Sequence, residues 1–333
     1  MHTIDDFYQF YLQNFSDVKS ELYQELNFHR KKALKFFSLG IIGLILLILF
    51  FVAIGIDESR LDSLSGNIQG LIIGSIVLFV IIILIFFGIG ANATKKYKAI
   101  FKDRVIRKII QFIDPSLKYH PNQYIGQSLF EFAKFFPNKS IDKYIGDDLV
   151  EGVIGKTHIK FSEIRVQEEH RSKNNKYYVD IFKGLFIIAD FNKNFNGRTY
   201  VLPDNNDKRY ARFLIFGERR NTEYGELVKL ENPEFEKKFA VFSTDQIEAR
   251  YILSTSLMER IVKLRNEIQK DVYFCFANSQ IFIAIPYKKN LFEPKISKKV
   301  IEFELLKEYY EILLDTVEIV EELNLNTRIW TKE

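Results

Sequence analysis

Two uninterrupted apolar blocks stand out near the start of the chain. From Phe36 to Ile56 no residue is charged, and the centre reads Leu39-Gly40-Ile41-Ile42-Gly43-Leu44-Ile45-Leu46-Leu47. A helix over this block rises about 31 Å, close to the hydrocarbon thickness of a bilayer. A second uncharged block runs from Ile68 to Thr94 and is densest between Leu71 and Phe87. A buried helix of a soluble protein would keep a polar stripe, and neither block has one. The pattern predicts transmembrane helices over 36–56 and 68–94, joined by a short external loop, 57–67. The first block makes a poor signal peptide: its apolar run is too long, and a stretch containing several acidic residues precedes it.

Heptad-like spacing flanks the blocks. Ile4, Tyr8, Tyr11, Phe15, Val18 and Leu22 recur at alternating four- and three-residue steps, as in a coiled-coil seam. Thr3 is placed as an N-cap, with Asp6 in the first turn. After the second block, Tyr97, Ile100, Phe101, Val105, Ile109 and Ile113 share one helical face, and Asp114-Pro115 is a natural stop. Residues 1–35 therefore read as an N-terminal amphipathic helix and 95–114 as a basic juxtamembrane helix, together a stalk. Gly70 and Gly74, like Gly40 and Gly43, offer close helix approach within the hairpin or between protomers.

Charge sets the expected orientation. Arg30, Lys31, Lys32 and Lys35 precede the first span, and Lys95, Lys96, Lys98, Lys102, Arg104, Arg107 and Lys108 follow the second. The loop between them holds only Arg60, beside Asp57, Glu58 and Asp62. The positive-inside rule places both termini in the cytoplasm. The spans hold no ionisable group, which argues against an ion pathway.

From about Tyr119 the pattern becomes α+β. A short helix near Ser128–Phe135 precedes extended stretches at Asp148–Gly155, His158–Glu168 and Tyr177–Asp190, the last two forming a hairpin across residues 171–176. Further strands are expected at Thr199–Leu202, Glu226–Leu230 and Phe239–Phe242. Ser243 or Thr244 reads as a helix cap, and Ser256-x-x-Glu259 as the opening of a helix over Leu257–Gln269. A second hairpin crosses Asn278-Ser279, and a long helix spans about Ser297–Leu323. Strands follow strands, so residues 115–333 are expected to form a mixed domain with mainly antiparallel sheet and a long C-terminal helix. The fold class is thus a membrane-anchored α+β protein.

Candidate chemistry is sparse. The net charge of +4 is small for 333 residues and does not indicate a nucleic-acid partner. Phosphate-loop, dinucleotide, nucleophile-elbow and zinc-protease motifs are absent. The five histidines lack ligand spacing, and Cys275, the single cysteine, sits in a predicted strand as a small apolar residue. Asp190, Asn192 and Asn194 mimic the first ligands of a calcium loop, but Phe195 replaces the glycine and Val201 the closing glutamate. An Asn- and Gly-rich turn explains the same residues. Asp147, Asp148 and Glu151 read as a solvated strand edge. No catalytic, metal or cofactor residue is assigned.

Several longer segments, in order, resemble the bacterial DUF3137 family: Val150–Thr157 (VEGVIGKT), Phe182–Lys193 (FKGLFIIADFNK), Gly197–Pro203 (GRTYVLP), Phe242–Leu253 (FSTDQIEARYIL), Ser256–Arg260 (SLMER) and Leu323–Trp330 (LNLNTRIW). The resemblance implies a bacterial inner-membrane protein with two N-terminal spans, and a LemA-like membrane protein as partner. It transfers no activity and no catalytic residue.

These observations favour a non-enzymatic, membrane-anchored interaction or scaffold protein, self-associating or binding a partner. The alternatives are a lipid- or ligand-sensing domain, suggested by the basic juxtamembrane helix, and an enzyme with a carboxylate site at Asp190 or Asp148. Protease added to right-side-out vesicles is expected to leave the C-terminal domain intact; its digestion from outside would overturn the orientation.

Overall fold

The computed structural model describes residues 3–54, 65–172, 175–191, 193–204, 223–297, 301–323 and 325. The expected loop 57–67 falls largely outside them, as do Asn192 of the calcium-like turn, Val300, and most of the closing motif. The chain divides into two compact units, one of residues 1–106 with 293–307, the other of 107–292 with 308–333.

In the first unit, helix α1 (Ile4–Asn14) opens on the expected cap. The Asp6 amide donates to Thr3 Oγ1 at 3.1 Å, and the Thr3 amide donates to the Asp6 carboxylate at 2.7 Å. The continuous seam is not observed. The helix ends at Asn14, α2 (Glu21–Ile54) begins seven residues later, and Val18 lies exposed between them. Phe7, rather than Ile4 or Tyr8, is the wholly buried side chain of α1.

Helix α3 (Gly66–Phe101) runs back along α2. A Cβ added at Gly40 would lie 2.9 Å from the Phe87 ring, one at Gly43 2.8 Å from Ile83, and one at Gly90 3.2 Å from Phe37. Each glycine thus receives a large side chain of the other helix, and the packing of the pair is dispersion between interlocked surfaces. Gly70 and Gly74 meet nothing within 4 Å. The most apolar eighteen-residue windows of these two helices are only 11% and 6% buried, unlike core helices of a soluble protein. Both are long and apolar enough to cross a membrane.

A π-helical turn (Lys102–Ile106) follows α3 and buries Val105 and Ile106 together. The basic face is not simply presented outward. Lys98 and Lys102 bind Glu293 at 2.6 and 3.0 Å, Arg104 binds Glu25 at 2.8 Å, and Arg30 Nε donates to the Ile296 carbonyl at 2.8 Å. Phe303 packs among Phe7, Tyr8 and Tyr11, with ring centroids 5.0–6.1 Å apart.

The second unit begins with α4 (Arg107–Ile113), β1 (Lys118–His120) and α5 (Gln127–Ala133). The hairpin strands β2 (Lys143–Ile154), β3 (Thr157–Arg171) and β4 (Lys176–Asp190) follow. Then come β5 (Thr199–Pro203), β6 (Glu226–Val228), α6 (Pro233–Glu236), β7 (Phe239–Ser243), α7 (Gln246–Ile252) and α8 (Thr255–Ile268). The hairpin β8 (Tyr273–Ala277) and β9 (Gln280–Pro286) precedes α9 (Phe303–Glu322). Among the described residues, nine strands form one antiparallel sheet, ordered β1-β2-β3-β4-β9-β8-β5-β7-β6. The mainly antiparallel α+β expectation is met.

Two caps differ from expectation. Asp245 caps α7, accepting from the Ile247 and Glu248 amides, because Ser243 is still paired in β7. Ser254 caps α8, two residues before the predicted serine. The Asn278-Ser279 turn holds both residues at positive φ, 51° and 54°, which matches the twist of a two-residue hairpin.

Both faces of the central strands are covered: Leu185, Phe186, Ile187 and Ile188 are all buried. One face carries Phe182, Phe186, Phe282, Cys275 and Tyr200, packed with Phe130 and Ala133 of α5. Cys275 is wholly buried there, and burial pushes its thiol up to about 12, so it stays protonated and inert.

Gly184 is a point of close approach. A Cβ there would lie 2.1 Å from the Ile285 carbonyl oxygen, so β9 can pair with β4 only if this residue has no side chain. Gly184→Ala is expected to destabilise the protein by about 2 kcal/mol, lowering Tm by roughly 4–8 °C. Gly70→Ala, facing open space, should change stability by less than about 0.5 kcal/mol. Thermal unfolding of both variants in detergent measures this; equal melting temperatures would refute it.

Candidate functional site

Strand β4 pairs with β3 along almost its full length, from Lys176 opposite Arg171 to Ala189 opposite Ile159. A bulge interrupts the ladder between Val166 and Gln167, where Phe182 and Asp180 are the partners and Ile181 is the extra residue. On its other side β4 pairs with β9 only from Gly184 to Asp190. Pro286, opposite Gly184, has no N–H to continue the ladder. The last tie is the Tyr287 amide donating to the Lys183 carbonyl at 2.9 Å. Beyond it, residues Lys176–Phe182 have no backbone partner on this side among the described residues.

A cavity of about 810 Å³ opens where β9 leaves β4. Its walls come from Asp180–Lys183 of β4, Lys270 and Asp271 before β8, Tyr273, and Pro286–Lys289. Four lysines and two aspartates line it, but the aspartates are engaged by arginines. Arg165 Nε lies 2.7 Å from Asp180, and Gln167 donates to the same oxygen at 2.8 Å. Burial opposes ionisation of Asp180, yet these hydrogen bonds hold its carboxyl below the ordinary range. Asp271 sits 3.2 Å from Arg265. Lys289 is paired with Glu308.

The remaining three, Lys183, Lys270 and Lys288, have no carboxylate within ion-pair distance among the described residues. Lys183 Nζ donates to the Lys288 carbonyl at 3.3 Å, and Lys270 lies 4.9 Å above the Tyr287 ring. Burial, and then the charge of Asp315, push the Tyr287 hydroxyl up to about 12, leaving it a neutral donor. The site is therefore cationic, walled by aromatic rings, and open beside an unpaired strand edge.

The residues singled out from sequence lie elsewhere. Asp148 is not on a solvated edge: it is wholly buried, at φ 59° beside the bulge in β2, and accepts the Tyr119 hydroxyl. Asp147, Asp148 and Glu163 bring carboxylate oxygens within 4.8 Å of one another, a donor set of the kind that holds a divalent cation. Glu163 is engaged by the Leu291 amide at 2.7 Å, so the cluster also ties the chain after β9 to β3.

Glu151 is 3.5 Å from His120. Asp190 lines an open hollow of about 490 Å³ with Glu151, His158 and Lys160, and no hydrogen bond joins these groups among the described residues. In the calcium-like turn, Phe191 and Phe195 are buried and pack edge to face. Glu248 accepts from the Asn196 and Gly197 amides at 3.0 and 2.6 Å, anchoring a structural turn.

The groove was not foreseen because its lysines come from three separate segments. The only sequence signal was Pro286, which ends one apolar run while its partner strand is longer.

Residues 180–325 match the family model described as "Protein of unknown function (DUF3137)", the family that the sequence motifs resemble. No curated protein matches the chain. A solved structure that it resembles is the crystal structure of the mycobacterial trehalose monomycolate transport factor A, TtfA, at 12% identity. The alignment covers 66% of this chain and 94% of that one, with a TM-score of 0.32.

Asp315, behind Tyr287, adds a pH dependence. The residue is exposed on α9, but partial desolvation, and then the charges of Glu311 and Glu267, raise its carboxyl from 3.8 to about 6. Between these values the folded protein holds a proton that the unfolded chain has released, so stability falls as pH rises from about 4 to 6. Asp315→Asn should raise Tm at pH 7.5 and leave it unchanged near pH 4. A gain of equal size at both pH values would refute this assignment.

Proposed function

We propose that the chain is an integral membrane protein whose two helices anchor a cytoplasmic, non-enzymatic interaction module. Its docking surface is the lysine groove beside β4. The observation that carries this reading is the coincidence of Lys183, Lys270 and Lys288, which have no carboxylate within ion-pair distance among the described residues, with an unpaired length of strand. Long-range attraction by the lysines would steer a partner, and desolvated contacts with the half-buried Tyr273 and Tyr287 would hold it.

Membrane embedding is supported by the exposed apolar surface of α2 and α3, and the cytoplasmic orientation by the basic residues flanking both helices. The match to a family without an assigned activity is compatible with a binding role and gives no chemistry to carry over. The partner is a second copy of the chain or another membrane protein, such as the LemA-like protein that the family resemblance implies.

Extraction in mild detergent should recover the chain in a stoichiometric assembly. Reversing the three charges together (Lys183→Glu, Lys270→Glu, Lys288→Glu) should weaken that assembly at least about tenfold without lowering Tm by more than a few degrees. Recovery of monomer alone under gentle conditions, or an assembly indifferent to the triple reversal, would overturn the proposal.

A further inference from the structure

The same groove specifies the conformation of what it binds. Strand β4 runs from Lys176 to Asp190, whereas β9 runs only from Gln280 to Pro286 and covers Gly184–Asp190. Lys176–Phe182 therefore continues a ladder whose second neighbour has ended. Its β3 side is paired except at the bulge residue Ile181, so the segment is held extended without any help from the open side. Tyr177, Tyr178 and Val179 are 51%, 47% and 42% exposed, so apolar side chains are available on this stretch. An extended segment placed here would occupy the lane that β9 vacates at Pro286, in line with β9 itself. Its backbone would satisfy the open N–H and C=O groups of β4.

The electrostatics choose among extended segments. The end of the lane at which β9 stops is where Lys183, Lys270 and Lys288 gather, while Asp180 and Asp271 are already neutralised by Arg165 and Arg265. A basic segment would be repelled, and a neutral one would leave the lysines unpaired. Resting on the reading of this groove as an interaction surface, we infer that its occupant is an acidic protein segment that adds to β4 as a further strand over Lys176–Phe182. Its carboxylates lie against Lys183, Lys270 and Lys288. The backbone supplies the affinity and the lysines the selectivity.

The test uses the full chain in mild detergent and two end-blocked peptides of the sequence Asp-Val-Glu-Val-Glu-Val-Asp-Gly. One is unmodified; the other is methylated on alternate backbone nitrogens, which keeps every charge and removes strand hydrogen bonds. The unmodified peptide is expected to bind, more weakly as salt rises, and the methylated one roughly tenfold less tightly. Amide hydrogen exchange of residues 176–182 should slow when the unmodified peptide is bound.

Equal binding of the two peptides, or binding without slower exchange in 176–182, would overturn strand addition. So would failure of both to bind. None of these outcomes touches the proposed interaction surface, because that stands or falls on whether the triple charge reversal disrupts the native assembly. A native assembly lost in the triple variant, with no peptide effect at β4, would assign the groove to a differently shaped partner.

Discussion

The sheet of this protein depends on a close contact between two backbones. At Gly184 the carbonyl of Ile285 occupies the space that a side chain would need, and this lets β9 lie flush on the second half of β4. The pairing brings Leu185, Ile187, Phe282 and Ile283 into the buried layers on the two faces of the sheet. It ends at once, because Pro286 has no amide hydrogen to give. The same residues thus complete the core on one side of Gly184 and leave a strand edge on the other. The groove with its lysines exists because the chain must turn away at Pro286–Lys289.

The helical pair uses the same device with side chains in place of carbonyls. Glycine at 40, 43 and 90 admits Phe87, Ile83 and Phe37, so that the apolar surfaces of α2 and α3 interlock. Gly70 and Gly74, four residues apart, have the spacing of a close-packing motif but meet nothing within 4 Å. Small residues at four-residue steps thus permit close packing and do not by themselves bring it about. Farther along, Glu25 and Glu293 neutralise part of the basic face, so these charges have partners within the fold.

Much of the architecture was legible in the residues. The apolar blocks, the two hairpins, the Thr3 cap and the buried cysteine each follow from local pattern, because hydropathy, turn chemistry and strand propensity act over a few residues. The seam through Ile4, Tyr8, Phe15 and Val18 failed for a related reason. Heptad spacing records which positions are apolar, but the chain leaves the helix after Asn14 and buries Phe7 and Phe15. The cap of α7 moved to Asp245 because β7 claims Ser243 for its own ladder, a tertiary demand that overrides a local preference. Asp148 shows the largest such override: a residue type expected at the surface is buried, where a strand bulge and a tyrosine hydroxyl accommodate it.

By itself the sequence determined that two helices are apolar enough to cross a membrane and that the rest is a strand-rich α+β unit. These are properties of composition and short-range order, which survive whatever the chain does at a distance. Only the tertiary structure decided, among the described residues, which lysines lack a carboxylate at ion-pair distance and where a strand lacks a neighbour. Lys183, Lys270 and Lys288 are unremarkable in three separate segments; they line one groove because β4, β8 and the end of β9 converge. Asp180 and Asp271 would have cancelled them had Arg165 and Arg265 not been brought within 2.7 and 3.2 Å. Electrostatic balance is a property of distances, and distances between remote residues are set by the fold.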